Sequence, residues 1–83
     1  MDIDIVRKRL LIRSWRRGTK ELDLILGTFS NNNVSKLEMA DLDLYERLLS
    51  NDDHVIYSWL FGKAESPKIF YNLIKKIQEG MYR

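Results

Sequence analysis

The segment Arg13-Ser14-Trp15-Arg16-Arg17-Gly18-Thr19-Lys20-Glu21-Leu22-Asp23 decides how this chain folds. A basic, amphipathic stretch runs into it, and an acidic, leucine-rich one runs out of it. Gly18 sits at the joint, and glycine accepts backbone angles closed to other residues, so the segment reads as a tight corner between two helices. Gly18 can also act as the N-cap of the second helix, with Glu21 three positions on reaching back to the free N–H of the cap. A plain corner needs neither Arg16 and Arg17 in front of it nor so much opposite charge around it. The two arginines therefore read as functional.

Upstream of the corner, Val6, Leu10 and Ser14 form one row of a helix that Asp2 or Asp4 can cap, and Leu11 and Trp15 form the next row. Arg7, Lys8, Arg9, Arg13 and Arg16 cover much of its remaining face. The ordinary role of such a face is a solvated surface whose arginine stems lie on apolar neighbours. Downstream, Leu22, Ile25, Leu26 and Phe29 follow the helical i, i+3, i+4, i+7 spacing. Gly27 among them costs about 1 kcal/mol relative to alanine, so it marks a close helix contact. Ser30-Asn31-Asn32-Asn33 reads as a polar loop.

Ser35-Lys36-Leu37-Glu38 matches a capping box and opens a third helix. That helix carries Leu37, Ala40, Leu44 and Leu48 on one row and Asp41, Tyr45 and Leu49 on the adjacent one. Ser50-Asn51-Asp52-Asp53 breaks and restarts the chain, an Asp capping a short fourth helix with Ile56, Trp59 and Leu60 that Gly62 stops. Ser66-Pro67 pairs a cap with proline at the first helical position, and Phe70, Leu73, Ile74, Ile77 and Met81 stripe a last helix up to Gly80. Strand alternation is absent beyond a few residues around Val55 to Tyr57. The expected fold is all-α, a compact antiparallel bundle of about five short helices in a single domain, residues 1–83.

Eighty-three residues leave no room for a second core. A chain this short buries only about 60–65% of its unfolded surface, so every helix must contribute to one shared core. Hydrophobic residues at 45% and charged residues at 31% describe an ordinary globular protein. There are no cysteines and a single histidine, His54, which excludes a disulfide framework, a thiolate metal site and a histidine-built zinc site within one chain. No apolar run approaches the ~20 residues of a membrane span, no signal peptide is evident, and a cytoplasmic setting is expected.

The net charge of +2 hides its distribution. Residues 1–20 hold seven basic and two acidic side chains (+5), residues 21–53 two and eight (−6), and residues 54–83 five and two (+3), which together give +2. Such a chain presents both a positive and a negative surface, which favours a protein partner of complementary shape over a bare polyanion. Nucleophilic catalysis needs an activated hydroxyl or thiol beside a base, and His54 on an acidic turn reads as a solvated helix-start residue. The carboxylate pairs Asp41/Asp43 and Asp52/Asp53 serve helix dipoles. No phosphate loop, metal box or dinucleotide fingerprint is present. The chain does not read as an enzyme.

Arg17-Gly18-Thr19-Lys20-Glu21 fits the pattern R-G-x-x-E, and with its flanks it resembles the small succinate dehydrogenase assembly factors, the flavinylation factors of SdhE/YgfY type. Arg9 to Gly18 followed by Glu21 to Phe29 is similar to the bacterial members through almost two helices. Tyr45, Leu48-Leu49, Asp52-Asp53 and Trp59-Leu60 then match the family's second block in order and spacing. The segment Asn31 to Asn33 and the tail after Gly62 carry no family signal. Alone the pentapeptide is weak; between these blocks it is specific.

The resemblance implies a chaperone-like assembly factor that binds the flavoprotein subunit of succinate dehydrogenase, with that of fumarate reductase as a second candidate. It would promote covalent attachment of FAD to a histidine of that subunit, acting as a monomer in the bacterial cytoplasm, with no stably bound cofactor, nucleic acid or membrane insertion of its own. Arg17, Gly18 and Glu21 are implied at the interface near the flavin, with Arg16 and Asp23 as neighbours. Trp15, Tyr45 and Trp59 are candidate anchors, although an aromatic at helical spacing ordinarily belongs to the core, where Trp59 is assigned. A second reading, from another class, is a small basic regulator or antitoxin-like protein that binds nucleic acid through the Arg7–Arg17 face, or binds another protein. The acidic middle of the chain would repel phosphates, and no DNA-binding motif is evident. A third is a structural adaptor with no part in flavin chemistry.

Overall fold

Asp2 begins the first helix, its carboxylate accepting the Asp4 N–H at 3.0 Å while its own backbone stays extended. The computed structural model describes residues 2–81. They form α1 (Ile3–Trp15), α2 (Lys20–Asn33), a 3₁₀ turn (Val34–Lys36), α3 (Met39–Leu49), α4 (Asp53–Leu60), a second 3₁₀ turn (Lys68–Phe70) and α5 (Tyr71–Met81). The all-α expectation holds, with five α-helices and no strand among the described residues. Helix α1 packs on α2 and α3, α2 on α5, and α4 on α5, so the buried side chains make one cluster. The radius of gyration, 11.8 Å, equals the value of about 12 Å that size scaling gives for this length.

Val6, Leu10 and Ser14 are the buried row of α1, and Leu22, Leu26 and Phe29 that of α2. Ile25 is only half-buried, as it stands at the edge of that stripe. Gly27 lets α1 and α2 approach: a side chain there would overlap the indole of Trp15, whose Nε1 donates to Asn31 Oδ1 at 3.3 Å. Trp59 lies in the core, 9% exposed, its ring 5.7 Å from that of Phe70. Tyr45 is fully buried as well and tilts against Phe29 at 5.4 Å. Trp15 stays 38% exposed.

Four boundaries depart from expectation. Helix α2 does not end at Ser30: it runs through Asn33, and Val34, next in the chain, is buried and donates its N–H to Ser30 O. Ser30 itself is buried, and Asn33 Nδ2 bonds Phe29 O at 2.9 Å, so these polar residues cap the last turn instead of breaking it. The Ser35 capping box does not form, because Ser35 lies inside the 3₁₀ turn and α3 starts after Glu38. The buried face of α3 is Leu42, Tyr45, Leu48 and Leu49, while Ala40 is exposed and Leu44 half-buried. Pro67 precedes a 3₁₀ turn and not α5, whose start shifts to Tyr71. Gly80 does not end α5, which continues to Met81.

Gly62 ends α4 as expected. It takes the left-handed conformation (φ 71°), and Lys63 N–H bonds back to Ser58 O at 2.8 Å in a Schellman closure.

Candidate functional site

A fifth departure is at the corner itself. Thr19, not Gly18, caps α2, its hydroxyl accepting the Leu22 N–H at 3.2 Å. Threonine is a strong cap in its own right, and with Glu21 and Asp23 in the first turn that signal was present in the sequence. Glu21 is thereby the second residue of the helix and exposed, and no capping box reaches back from it. Gly18 is not left-handed either. What requires glycine is proximity, since a Cβ at Gly18 would run into the carboxylate of Asp53.

Asp53 opens α4 and lies 35 residues from Gly18 in sequence, yet its Oδ2 accepts the Gly18 N–H. Its Oδ1 accepts from Arg17 Nε at 2.8 Å. The same guanidinium donates from Nη1 to Leu49 O at 2.9 Å and from Nη2 to Asn51 O at 3.1 Å, closing carbonyls left open at the C-terminal end of α3. The Arg17 side chain is only 10% exposed and that of Asp53 25%. On the other side, Asp23 Oδ1 accepts the Arg17 backbone N–H at 2.5 Å. Backbone and side chain of the corner are thus held by two carboxylates and two carbonyls.

The five candidate residues divide accordingly. Arg17, Gly18 and Asp23 are joined in one hydrogen-bonded knot. Arg16 and Glu21 are exposed beside it and enter none of its bonds. Arg16 lines a shallow polar depression of about 280 Å³ together with Arg17, Gly18, Asn51, Asp52 and Asp53. The sequence offers Asp53 as a helix-start carboxylate and as part of the second matching block, but its tie to Arg17 and Gly18 has no local signature. Of the aromatic candidates, Trp15 alone is on the surface. His54, next to Asp53, is exposed and takes no part in the knot.

The basic face of α1 is largely engaged within the chain. Arg9 and Arg13 share Glu46 Oε2 at 2.8 and 3.4 Å, and Arg7 reaches Leu37 O at 2.8 Å and Asp4 at 3.4 Å. Behind it, Ser14 Oγ donates to Leu10 O at 2.7 Å and shares a 2.6 Å bond with Tyr45 Oη, which also reaches Leu26 O at 3.4 Å. Burial pushes the Tyr45 hydroxyl up from 10.0 to about 12, with the Ser14 bond opposing it. No helix of the described residues is long and apolar enough to cross a membrane. No group of three or more acidic or histidine side chains among them could hold a metal ion.

The family model described as flavinator of succinate dehydrogenase matches residues 8–81. A mitochondrial succinate dehydrogenase assembly factor 2 of Dictyostelium discoideum is 40% identical over 76 residues, 92% of this chain and 54% of that protein. One from Aspergillus flavus is 41% identical over 58 residues, 70% of this chain and 20% of that protein. The FAD assembly factor SdhE of Legionella pneumophila is 33% identical over 76 residues, 92% of this chain and 96% of that protein. The chain therefore spans about half or less of the mitochondrial relatives it matches, and nearly all of the bacterial one. With the corner, both halves of its knot and the helices that carry them inside the matched span, this chain belongs to the family of flavinators of succinate dehydrogenase.

Proposed function

We propose that this chain is an assembly factor that binds the flavoprotein subunit of succinate dehydrogenase and promotes covalent attachment of FAD to it. The observation that supports this best is the family match over residues 8–81, which includes the whole corner from Arg16 to Asp23. The bond-forming chemistry belongs to the partner, whose histidine would attack the flavin, while the flavin supplies the electronic demand. This chain acts as a chaperone and not as the enzyme. By binding one arrangement of the partner's domains better than others, it raises the population competent for bond formation. FAD stays with the partner, and the bacterial cytoplasm is the proposed setting.

The experiment mixes the purified chain with apo-flavoprotein subunit and FAD, then reads flavin fluorescence of the subunit after denaturing electrophoresis. Covalent flavin that rises with added chain, together with a complex near 1:1, is the expected result. Unchanged covalent flavin and no complex would refute it. The fumarate reductase flavoprotein, run in parallel, shows whether the partner range extends to it. The nucleic-acid reading gains nothing from the structure, because four arginines of the basic segment (Arg7, Arg9, Arg13 and Arg17) are tied to carboxylates of this chain.

A further inference from the structure

We propose that Asp53 is the positioning residue of the arginine–glycine corner, and that Arg17 works inside the chain while Arg16 and Glu21 form the face offered to the flavoprotein. The proposal rests on the flavoprotein-binding function above and assigns its parts. Arginine has five N–H donors in a fixed fork, and three of those of Arg17 are already spent on Asp53, Leu49 O and Asn51 O. At 10% exposure, the guanidinium could meet an acidic group of a partner only by giving up those bonds. Asp53 is equally committed, one oxygen to the Arg17 side chain and the other to the Gly18 N–H. A single carboxylate thereby holds two consecutive corner residues against the start of α4, while Asp23 holds the Arg17 N–H from α2. Among the exposed groups beside this frame are Arg16, at the end of α1, and Glu21, in the first turn of α2. Their spacing is set by a frame that neither of them enters.

Asp53→Asn tests this, because the amide keeps one acceptor oxygen and turns an N–H group toward a donor. Only one of the two contacts can survive. The corner then samples other arrangements, and apparent affinity falls by the fraction of molecules that remain competent. Three measurements on the full chain decide the matter. In the ¹⁵N spectrum of the free protein, the wild type should show a slowly exchanging Arg17 Nε–H and a hydrogen-bonded Gly18 amide. D53N should lose that protection while keeping its helicity by circular dichroism.

Binding to the purified flavoprotein subunit should weaken at least tenfold in D53N. Arg16→Ala and Glu21→Gln should also weaken it, yet leave both NMR signals in place. Arg17→Lys combined with D53N should bind within twofold of the weaker single variant, since both changes break one frame. Should D53N lose its helicity, Arg17→Lys alone carries the same test. A folded D53N or R17K with its signals lost and affinity within twofold of wild type would overturn the proposal. So would strictly multiplicative losses in the double variant, which would place Arg17 on the partner. A wild-type chain with both signals intact and no affinity for the flavoprotein would instead refute the proposed function, and this assignment with it.

Discussion

At Gly18 the missing Cβ makes room for a carboxylate, so the cost of filling that space is the cost of displacing Asp53. Gly18→Ala should lower stability by about 1–2 kcal/mol, the usual scale for forcing a methyl into a packed site. For a domain of this size that is a fall in Tm of roughly 5–15 °C with helicity retained, readable by thermal denaturation. Tyr45 makes a separate prediction about alkali. Its hydroxyl titrates at 10.0 unfolded and about 12 folded, so below pH 10 both states are neutral and its full stabilising contribution is present. As pH rises from 10 to 12 the unfolded chain releases the proton first, and stability should fall by about 2–3 kcal/mol. Denaturant titrations at pH 9 and pH 11.5 check this, and Tyr45→Phe should lose that part of the pH dependence. The residue types at both places were legible in the sequence, but their partners were not. Gly18 looked like a residue wanted for its angles and is wanted for its size. Asp53 looked like a cap, because nothing local reveals a contact 35 or 36 residues away.

Helix existence followed from periodicity at every segment, whereas helix ends were decided by burial that periodicity does not see. Asn31 to Asn33 have poor helix propensity, but the buried Val34 one turn beyond Ser30 keeps the backbone helical long enough to reach the core. The Ser35 capping box lost to a 3₁₀ turn that begins at the buried Val34 and leads into the buried Leu37. Gly27, by contrast, is legible in the sequence as a contact between helices, and it yields a prediction about α1 against α2. Gly27→Ala gains about 1 kcal/mol of helix propensity but must push the Trp15 ring off α2. Because that ring is already partly exposed, it can swing away. Net stability should change by no more than about 1 kcal/mol, while tryptophan emission shifts to the red and quenching by acrylamide increases. Trp59, buried in the core, serves as the unquenched internal reference. An unchanged spectrum would mean that the indole does not rest on Gly27.

For the whole molecule, the three blocks of charge read from the sequence turn out to be partly spent against each other. Glu46 and Asp53, from the acidic block, are paired with Arg9, Arg13 and Arg17 of the basic one. What remains for long-range attraction includes Arg16, which makes no ion pair among the described residues. Flavoprotein association should therefore slow with added salt, and Arg16→Ala should lower the association rate and flatten that salt dependence. Stopped-flow association at two ionic strengths checks it, and an R16A salt dependence equal to wild type would contradict it. The tie between Arg17 and Asp53 has one more consequence, and it concerns time. Helices α1 and α2 meet through neighbours in sequence, but this tie spans 36 residues and needs the end of α3 and the start of α4 already in place. Contacts that close long loops come late in folding, after local ones have repaid their entropy. A nascent or truncated copy that lacks α4 therefore carries the R-G-x-x-E letters without the Asp53 contacts that frame them. On the proposed function, recognition of the corner would also report that α4 is already in place.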